Sequence, residues 1–257
     1  MASRSSRKWT GGARTRSFGR WLMWLLLAGC ALQLAFLLRI ALMAAVAPES
    51  TAFMRSEAWR IAQRRATGDG DWRWSARWVA HDQISQHLRR AVIASEDAGF
   101  ASHGGVDWKA IETAWKRNRQ REKQAARQGS PTRATKVVGG STITQQLAKN
   151  LLLSGERNFL RKGQELVLAL MLEAVLDKDR ILDIYLNSVE WGEGVFGAEA
   201  AARRYFRKSA RQLNAYEAAR LAVMLPSPRF YEKRQGSSYL AGRTRTIVAR
   251  MGAVELP

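Results

Sequence analysis

The sequence is short of the residues that build disulfides, metal cages and sheets. Among 257 residues there are one cysteine, Cys30, and three histidines. An internal disulfide and a thiolate metal site are therefore excluded, and no carboxylate–histidine cluster at metal-ligand spacing is evident. Blocks of alternating apolar and polar residues are missing apart from a short piece around Trp72–Trp78, which argues against a sheet protein. Acid is scarce as well: 22 Asp and Glu stand against 42 Lys and Arg, a formal net charge of +20.

What is present begins with an anchor. Residues 1–20 carry Arg4, Arg7, Lys8, Arg14, Arg16 and Arg20 and no acid, and they precede Trp21–Leu38, eighteen residues whose only strongly polar member is Gln33. After Arg39 the apolar run resumes from Ile40 to Ala47. At about 1.5 Å rise per residue, roughly 20 residues cross a hydrocarbon core of ~30 Å. The apolar region exceeds the usual signal-peptide core of about 7–15 residues, which favours an uncleaved anchor. The basic flank is expected to stay in the cytoplasm. The expected organisation is a basic tail over 1–20, a transmembrane anchor over 21–47 and one extracytoplasmic domain over 48–257. Arg39 leaves two placements open: within the membrane, or snorkelled to the outer interface, in which case the effective span is Trp21–Leu38 and Ile40–Ala47 lie in that interface.

Seven positive charges precede Pro48, which leaves +13 for the outer domain. An excess of that size asks for an anionic partner such as a membrane surface. The densest run, Lys116–Lys136, has eight Lys or Arg against Glu122 alone and contains Gly129-Ser130-Pro131; it reads as a solvated loop. Nucleic acid is excluded as a partner, since an exported chain does not meet it and aromatic-rich binding signatures are missing.

Helical periodicity dominates the domain. Ile84, Leu88 and Val92 share one helix face, as do Ile181, Ile184 and Tyr185, then Ala198, Ala201, Ala202 and Tyr205, then Leu213, Ala218, Leu221 and Leu225 before Pro226. The fold class is therefore mainly α.

Three segments carry chemistry. In Gly139–Asn150, GGSTITQQLAKN, Thr142 and Gln145 fit a capping box, and Ile143, Leu147 and Leu151 recur at helical spacing. Such a helix start offers backbone N–H groups, Lys149 and the hydroxyls of Ser141 and Thr142 to an anion such as phosphate; a well-capped helix with a solvated face is the alternative. In Glu96–Asp107, EDAGFASHGGVD, Glu96 falls at a helix C-terminus beside Asp97. The negative helix end and the neighbouring carboxylate both raise its pKa toward that of a general base, whereas His103 alone is more often structural. In Arg161–Glu165, RKGQE, a basic entrance leads into seven apolar residues, Leu166–Leu172, which reads as a buried helix. Glu165 there is either functional or an i−4 salt bridge to Arg161.

Together these segments, continued by Lys178–Phe206 and Leu221–Phe230, resemble the family 51 glycosyltransferases, the peptidoglycan glycosyltransferase domain of penicillin-binding proteins and their monofunctional relatives. The resemblance covers nearly all of Trp78–Phe230. No S-x-x-K nucleophile with its partner motifs is visible, and the chain to Pro257 leaves no room for a transpeptidase domain, which points to the monofunctional branch. The family implies a lysozyme-like, two-lobed helical fold with a cleft, in the cell inner membrane, acting in cell-wall biogenesis and cell shape.

The reaction the resemblance implies is polymerisation of lipid II into glycan strands with inversion at the anomeric carbon and release of undecaprenyl pyrophosphate. Glu96 is then the general base and Glu165 the second catalytic carboxylate, orienting cations or donor. Lys149, Arg157, Arg161 and Lys162 would meet the leaving pyrophosphate. Ser141, Thr142, Gln145, Gln146 and Asn150 would line the donor cleft, Phe100, His103 and Asp107 would shape the acceptor side, and Asp97 would count among the substrate-binding residues. No cofactor is required, though a divalent cation can ride on the substrate pyrophosphate. The expected partners are lipid II, the growing strand, the bacterial membrane and proteins of wall synthesis or division. A glycan-cleaving enzyme on the same fold and a catalytically silent scaffold are the rivals; cations around a leaving group argue against the first, and retention of both glutamates against the second.

Overall fold

The computed structural model describes residues 11–68, 73–127, 141–153 and 159–257. Arg157, Gly139, Gly140 and the latter part of the basic run lie outside the described residues. Several helices start where the sequence supplies a side-chain cap. After α1 (Gly11–Ala45), α2 (Ala52–Ala66) begins at Thr51, whose Oγ1 accepts the Met54 N–H at 3.0 Å. Ser85 caps α3 (Gln86–Glu96), and its hydroxyl donates to Leu213 O at 2.8 Å, fixing the helix start to a distant loop. Asp107 caps α4 (Trp108–Arg127) through the Ala110 N–H at 2.8 Å. Thr142 and Gln145 form the expected capping box on α5 (Ile143–Leu152). Then follow α6 (Phe159–Val175), α7 (Lys178–Ser188), α8 (Ala198–Phe206), α9 (Ala215–Met224), α10 (Pro228–Glu232) and α11 (Ser238–Met251).

The described residues are mainly α, as the periodicity requires. The helices pack as two groups: α3, α9 and α11 together, and α5 against α6, α7 and α2, with α1 lying along α6. One apolar core joins them. Ile143, Leu147 and Leu151, placed on one face by their spacing, are fully buried, as are Leu88, Val92, Ile184 and Leu221. Each such side chain contributes about 1.5–3 kcal/mol. A small sheet closes one side, in the order β1 (Ser75–Ala76), β3 (Val195–Phe196), β2 (Glu190–Gly192), with β1 parallel and β2 antiparallel to β3. Its first strand falls in the Trp72–Trp78 piece; the other two are too short to show a period-2 pattern.

Three expectations are corrected. The apolar run of α6 is not buried on all sides: Leu168, Ala169 and Leu172 face the core, while Val167 and Leu170 are exposed, because one helix can turn only one stripe inward. The basic run is helical from Lys116 to Arg127 rather than a loop. Finally, α1 continues unbroken past Arg39, and Ile40 and Met43 are buried in the domain core instead of resting free at an interface. The apolar stretch Phe18–Ala45 is long enough to cross a membrane, which is consistent with a single-pass anchor.

Candidate active site

The end of α3 and the start of α5 meet through side chains that the sequence placed far apart. Glu96, the last residue of α3, accepts from Gln146 Nε2 at 3.0 Å, and Gln146 Oε1 in turn accepts from Tyr185 Oη at 3.0 Å. Tyr185 is fully buried, and burial together with the charges of Glu96 and Asp97 keeps its phenol protonated, so it donates. This relay fixes one carboxylate oxygen of Glu96 and leaves the other to Ser95, whose hydroxyl stands at 3.5 Å. The Glu96 pKa is raised. Burial is the largest cause and the Asp97 charge adds to it, while the Gln146 and Ser95 hydrogen bonds and the charge of Arg243 oppose. Burial thus outranks the neighbouring charge from which sequence reasoning started.

Asp97 is engaged within the protein. It is buried, and its Oδ2 accepts the Ile143 backbone N–H at 3.0 Å, while both oxygens lie about 3 Å from His103 Nε2. Gly105 N–H donates to His103 Nδ1 at 3.1 Å, which assigns the proton to Nε2 and makes the imidazole a donor to Asp97. An anion at the start of α5 is therefore supplied by the protein itself, in keeping with the capped-helix alternative. Thr142 and Gln145 are likewise consumed: Thr142 Oγ1 donates to Gly105 O at 2.7 Å and accepts the Gln145 N–H at 3.1 Å, and both side chains are buried. They set the angle of α5.

The rest of the first motif braces the same corner. Phe100 is fully buried, with Lys178 Nζ 4.5 Å from its ring centroid, and Asp107 caps α4. Gly105 sits at φ +82°, and a Cβ there would lie 2.8 Å from Glu173 Cγ and 3.3 Å from Ala169 O, so only glycine lets the loop lie on α6. Asp97, Phe100, His103 and Asp107 thus share a scaffold that holds Glu96.

A cavity of about 360 Å³ opens beside this relay, lined by Gln146, Lys149, Asn150, Arg161, Glu190 and the apolar Phe53, Leu153, Val189, Leu225 and Pro228. Gln146 is common to both, so the cations Lys149 and Arg161 stand one residue removed from Glu96. Glu165 is buried between two cations: Arg161 Nη1 donates to Oε2 at 3.0 Å, and Lys162 Nζ pairs with Oε1. The expected i−4 bridge is present, and Lys162 makes it a triad that directs both cations. Ser141 lies at the edge, exposed, 3.5 Å from Lys162 Nζ. A larger cavity of about 1030 Å³, lined in part by His81, Arg89 and Arg211, holds none of these residues.

Two groups escaped the sequence reading. Glu190 on β2 faces the cavity with its pKa pushed up to about 7 by burial, against the hydrogen bond and charge of Arg229, and with Glu57 adding to the rise. Arg229 Nη2 bridges Glu57 at 2.7 Å and Glu190 at 2.9 Å. Arg243 on α11 directs its charge at Glu96. A lone acid in an apolar strand was the only available signal for Glu190, and none existed for Arg243.

Comparison with known proteins follows the same residues. The sequence profile of the family described as Transglycosylase matches residues 65–252. A biosynthetic peptidoglycan transglycosylase of Burkholderia vietnamiensis is 50% identical over 254 residues, covering 96% of this chain and 97% of that protein. Proteins of the same name from Burkholderia orbicola, 51% identical over 96% of each chain, and Paraburkholderia xenovorans, 50% identical over 93% and 94%, are similar to the same extent.

Proposed function

The chain belongs to the transglycosylase family, whose domain is a lysozyme-like helical fold, and from that membership and the Glu96 relay we propose that it polymerises lipid II into glycan strands. The acceptor's 4-hydroxyl attacks C1 of the lipid-linked donor; the new C1–O bond forms as the C1–O bond to pyrophosphate breaks. Glu96 takes the hydroxyl proton, and the electron pair leaves with undecaprenyl pyrophosphate. The single observation that carries this reading is a partly buried carboxylate of raised pKa, fixed by Gln146 and Tyr185, with Gln146 standing between it and a cavity lined by Lys149 and Arg161. A base needs the first; a departing pyrophosphate, which gains a further negative charge as the C1–O bond breaks, needs the second.

Glu165 acts by aiming Arg161 and Lys162 at the leaving group, since its two oxygens are each occupied by one of them. Asn150 lines the donor side. Arg157 would join them but lies outside the described residues. Among the described residues no three His, Cys, Asp or Glu gather to hold a metal; a divalent cation enters this reading only with the substrate. The domain from residue 48 lies outside the cytoplasmic membrane and the basic tail inside, following the charge of the flank.

Purified full-length protein in vesicles with labelled lipid II tests the reading. Polymer is the expected product. Fragments of added glycan would indicate a cleaving enzyme, and no product a silent scaffold.

A further inference from the structure

The apolar anchor is joined to the catalytic domain by a pair of amides. Gln33, the only strongly polar residue of Trp21–Leu38, donates through Nε2 to Gln164 Oε1 at 3.0 Å, and Gln164 Nε2 donates back to Gln33 Oε1 at 3.1 Å. Ten residues on, about 15 Å along the helix, Met43 is buried and its carbonyl accepts from Arg180 Nε at 2.8 Å. Between them Ile40 is fully buried. The last three turns of α1 are therefore seated on α6 and α7 as part of the domain.

Gln164 occupies an informative place on α6. It precedes Glu165 and follows Arg161 and Lys162, the ion-paired triad whose Arg161 lines the cavity. The same helix shows Leu160, Val167 and Leu170 to the outside, Leu160 at 88% exposure. A helix with an apolar outer face, held beside a membrane-crossing helix, has lipid as its natural surroundings. There an amide without a partner is costly, and two amides facing each other satisfy both. One-turn slippage of α1 would separate Gln33 from Gln164 and leave both unsatisfied.

We propose that Gln33 and Gln164 are positioning residues: their mutual hydrogen bonds fix the depth and register of α6 against the anchor, so that Arg161 and Lys162 meet a lipid-linked pyrophosphate at headgroup level. The inference rests on the lipid II reading for its substrate, but the joint between α1 and α6 does not. It makes the anchor a part of the donor site, where a tether alone would only raise local concentration.

The test uses the full chain in phospholipid vesicles. Gln33→Leu and Gln164→Leu should each insert normally, and lipid II polymerisation should fall by about threefold to tenfold, the range set by one interhelical polar pair, mainly through KM. The loss should shrink in detergent, where no bilayer sets the depth. On a Cys30→Ser background, Gln33→Cys with Gln164→Cys should be bridged in vesicles by a short bifunctional thiol cross-linker that reductant can release. Bridging should restore turnover and reduction should remove it again, a reversal that a folding defect cannot show. Unchanged turnover in both leucine variants, or thiols that fail to bridge, would overturn the proposal. If the thiols bridge but the parent protein makes no polymer, the lipid II reading fails while the joint stands.

Discussion

Asp97 Oδ2 accepts the backbone N–H of Ile143 at 3.0 Å. One carboxylate thereby ties the residue after Glu96 to the first turn of the helix that carries Gln146 and Lys149. The helix start that looks from sequence like a phosphate cradle is satisfied from within. The cations that would meet a phosphate lie further along α5 and on α6, lining the cavity.

Glu96→Gln keeps the shape and the Gln146 contact but removes the proton acceptor. Polymerisation of lipid II should drop by ~10² to 10⁴, the usual worth of a general base, with thermal stability and binding of a donor-site inhibitor little changed. Near-normal turnover would end the assignment of Glu96.

Asp97→Asn should act in two measurable ways. Loss of a charged acceptor for Ile143 N–H and His103 should lower stability by about 1.5–3 kcal/mol in thermal or denaturant unfolding. Because the Asp97 charge helps raise the Glu96 pKa, the neutral amide should let it fall. Activity requires ionised Glu96 and is lost as pH drops through its pKa, so the acidic limb of the pH–rate profile should move to lower pH. A limb that stays in place or moves upward would contradict this coupling.

Lys149→Ala and Arg161→Ala should each weaken binding of a pyrophosphate-mimicking phosphoglycolipid by about tenfold to a hundredfold, the range of one charge-assisted hydrogen bond. The remaining affinity should depend less on salt than that of the parent. Titration of a fluorescent inhibitor at two ionic strengths reads both effects, and unchanged affinity in both variants would place these side chains outside the donor site.

Glu190 supplies a stability prediction. Its folded pKa, pushed up to about 7, exceeds the ordinary carboxylate value of 4.5. A raised group contributes stability that is fully present below the unfolded pKa and lost as pH rises through the folded one. The parent should therefore lose stability between about pH 4.5 and 7, and Glu190→Gln should flatten that part of the curve. Equal slopes in the two proteins, measured by melting across pH, would refute the assignment.

The topology can be read directly. A reporter fused after Pro257 should be found outside the cytoplasm and one fused before Trp21 inside, as the basic flank demands. A cytoplasmic C-terminal reporter would overturn the placement and with it the substrate, because the lipid-linked sugar must be met on the outer face.

Local physics was legible in the chain itself. The capping box of Thr142 and Gln145, the apolar stripe of Ile143, Leu147 and Leu151, the i−4 pair of Arg161 and Glu165, and the long apolar helix all depend on residues a few positions apart, where spacing alone determines contact. Motif content was legible for the same reason, and it carried the family. What the tertiary structure decided lies at long separation. Asp97 and Ile143 are 46 residues apart, Glu96 and Gln146 are 50, and Gln33 and Gln164 are 131. No period links such pairs. Whether Thr142 turns to a ligand or to Gly105 O, whether Glu165 receives one cation or two, and whether the anchor hangs free or joins α6 depend on which faces are brought together. Burial then shapes the chemistry: Glu96 and Glu190 are ordinary glutamates in the sequence, and the loss of water around them is the largest cause of their raised pKa values, with the charges of Asp97 and Glu57 adding to it.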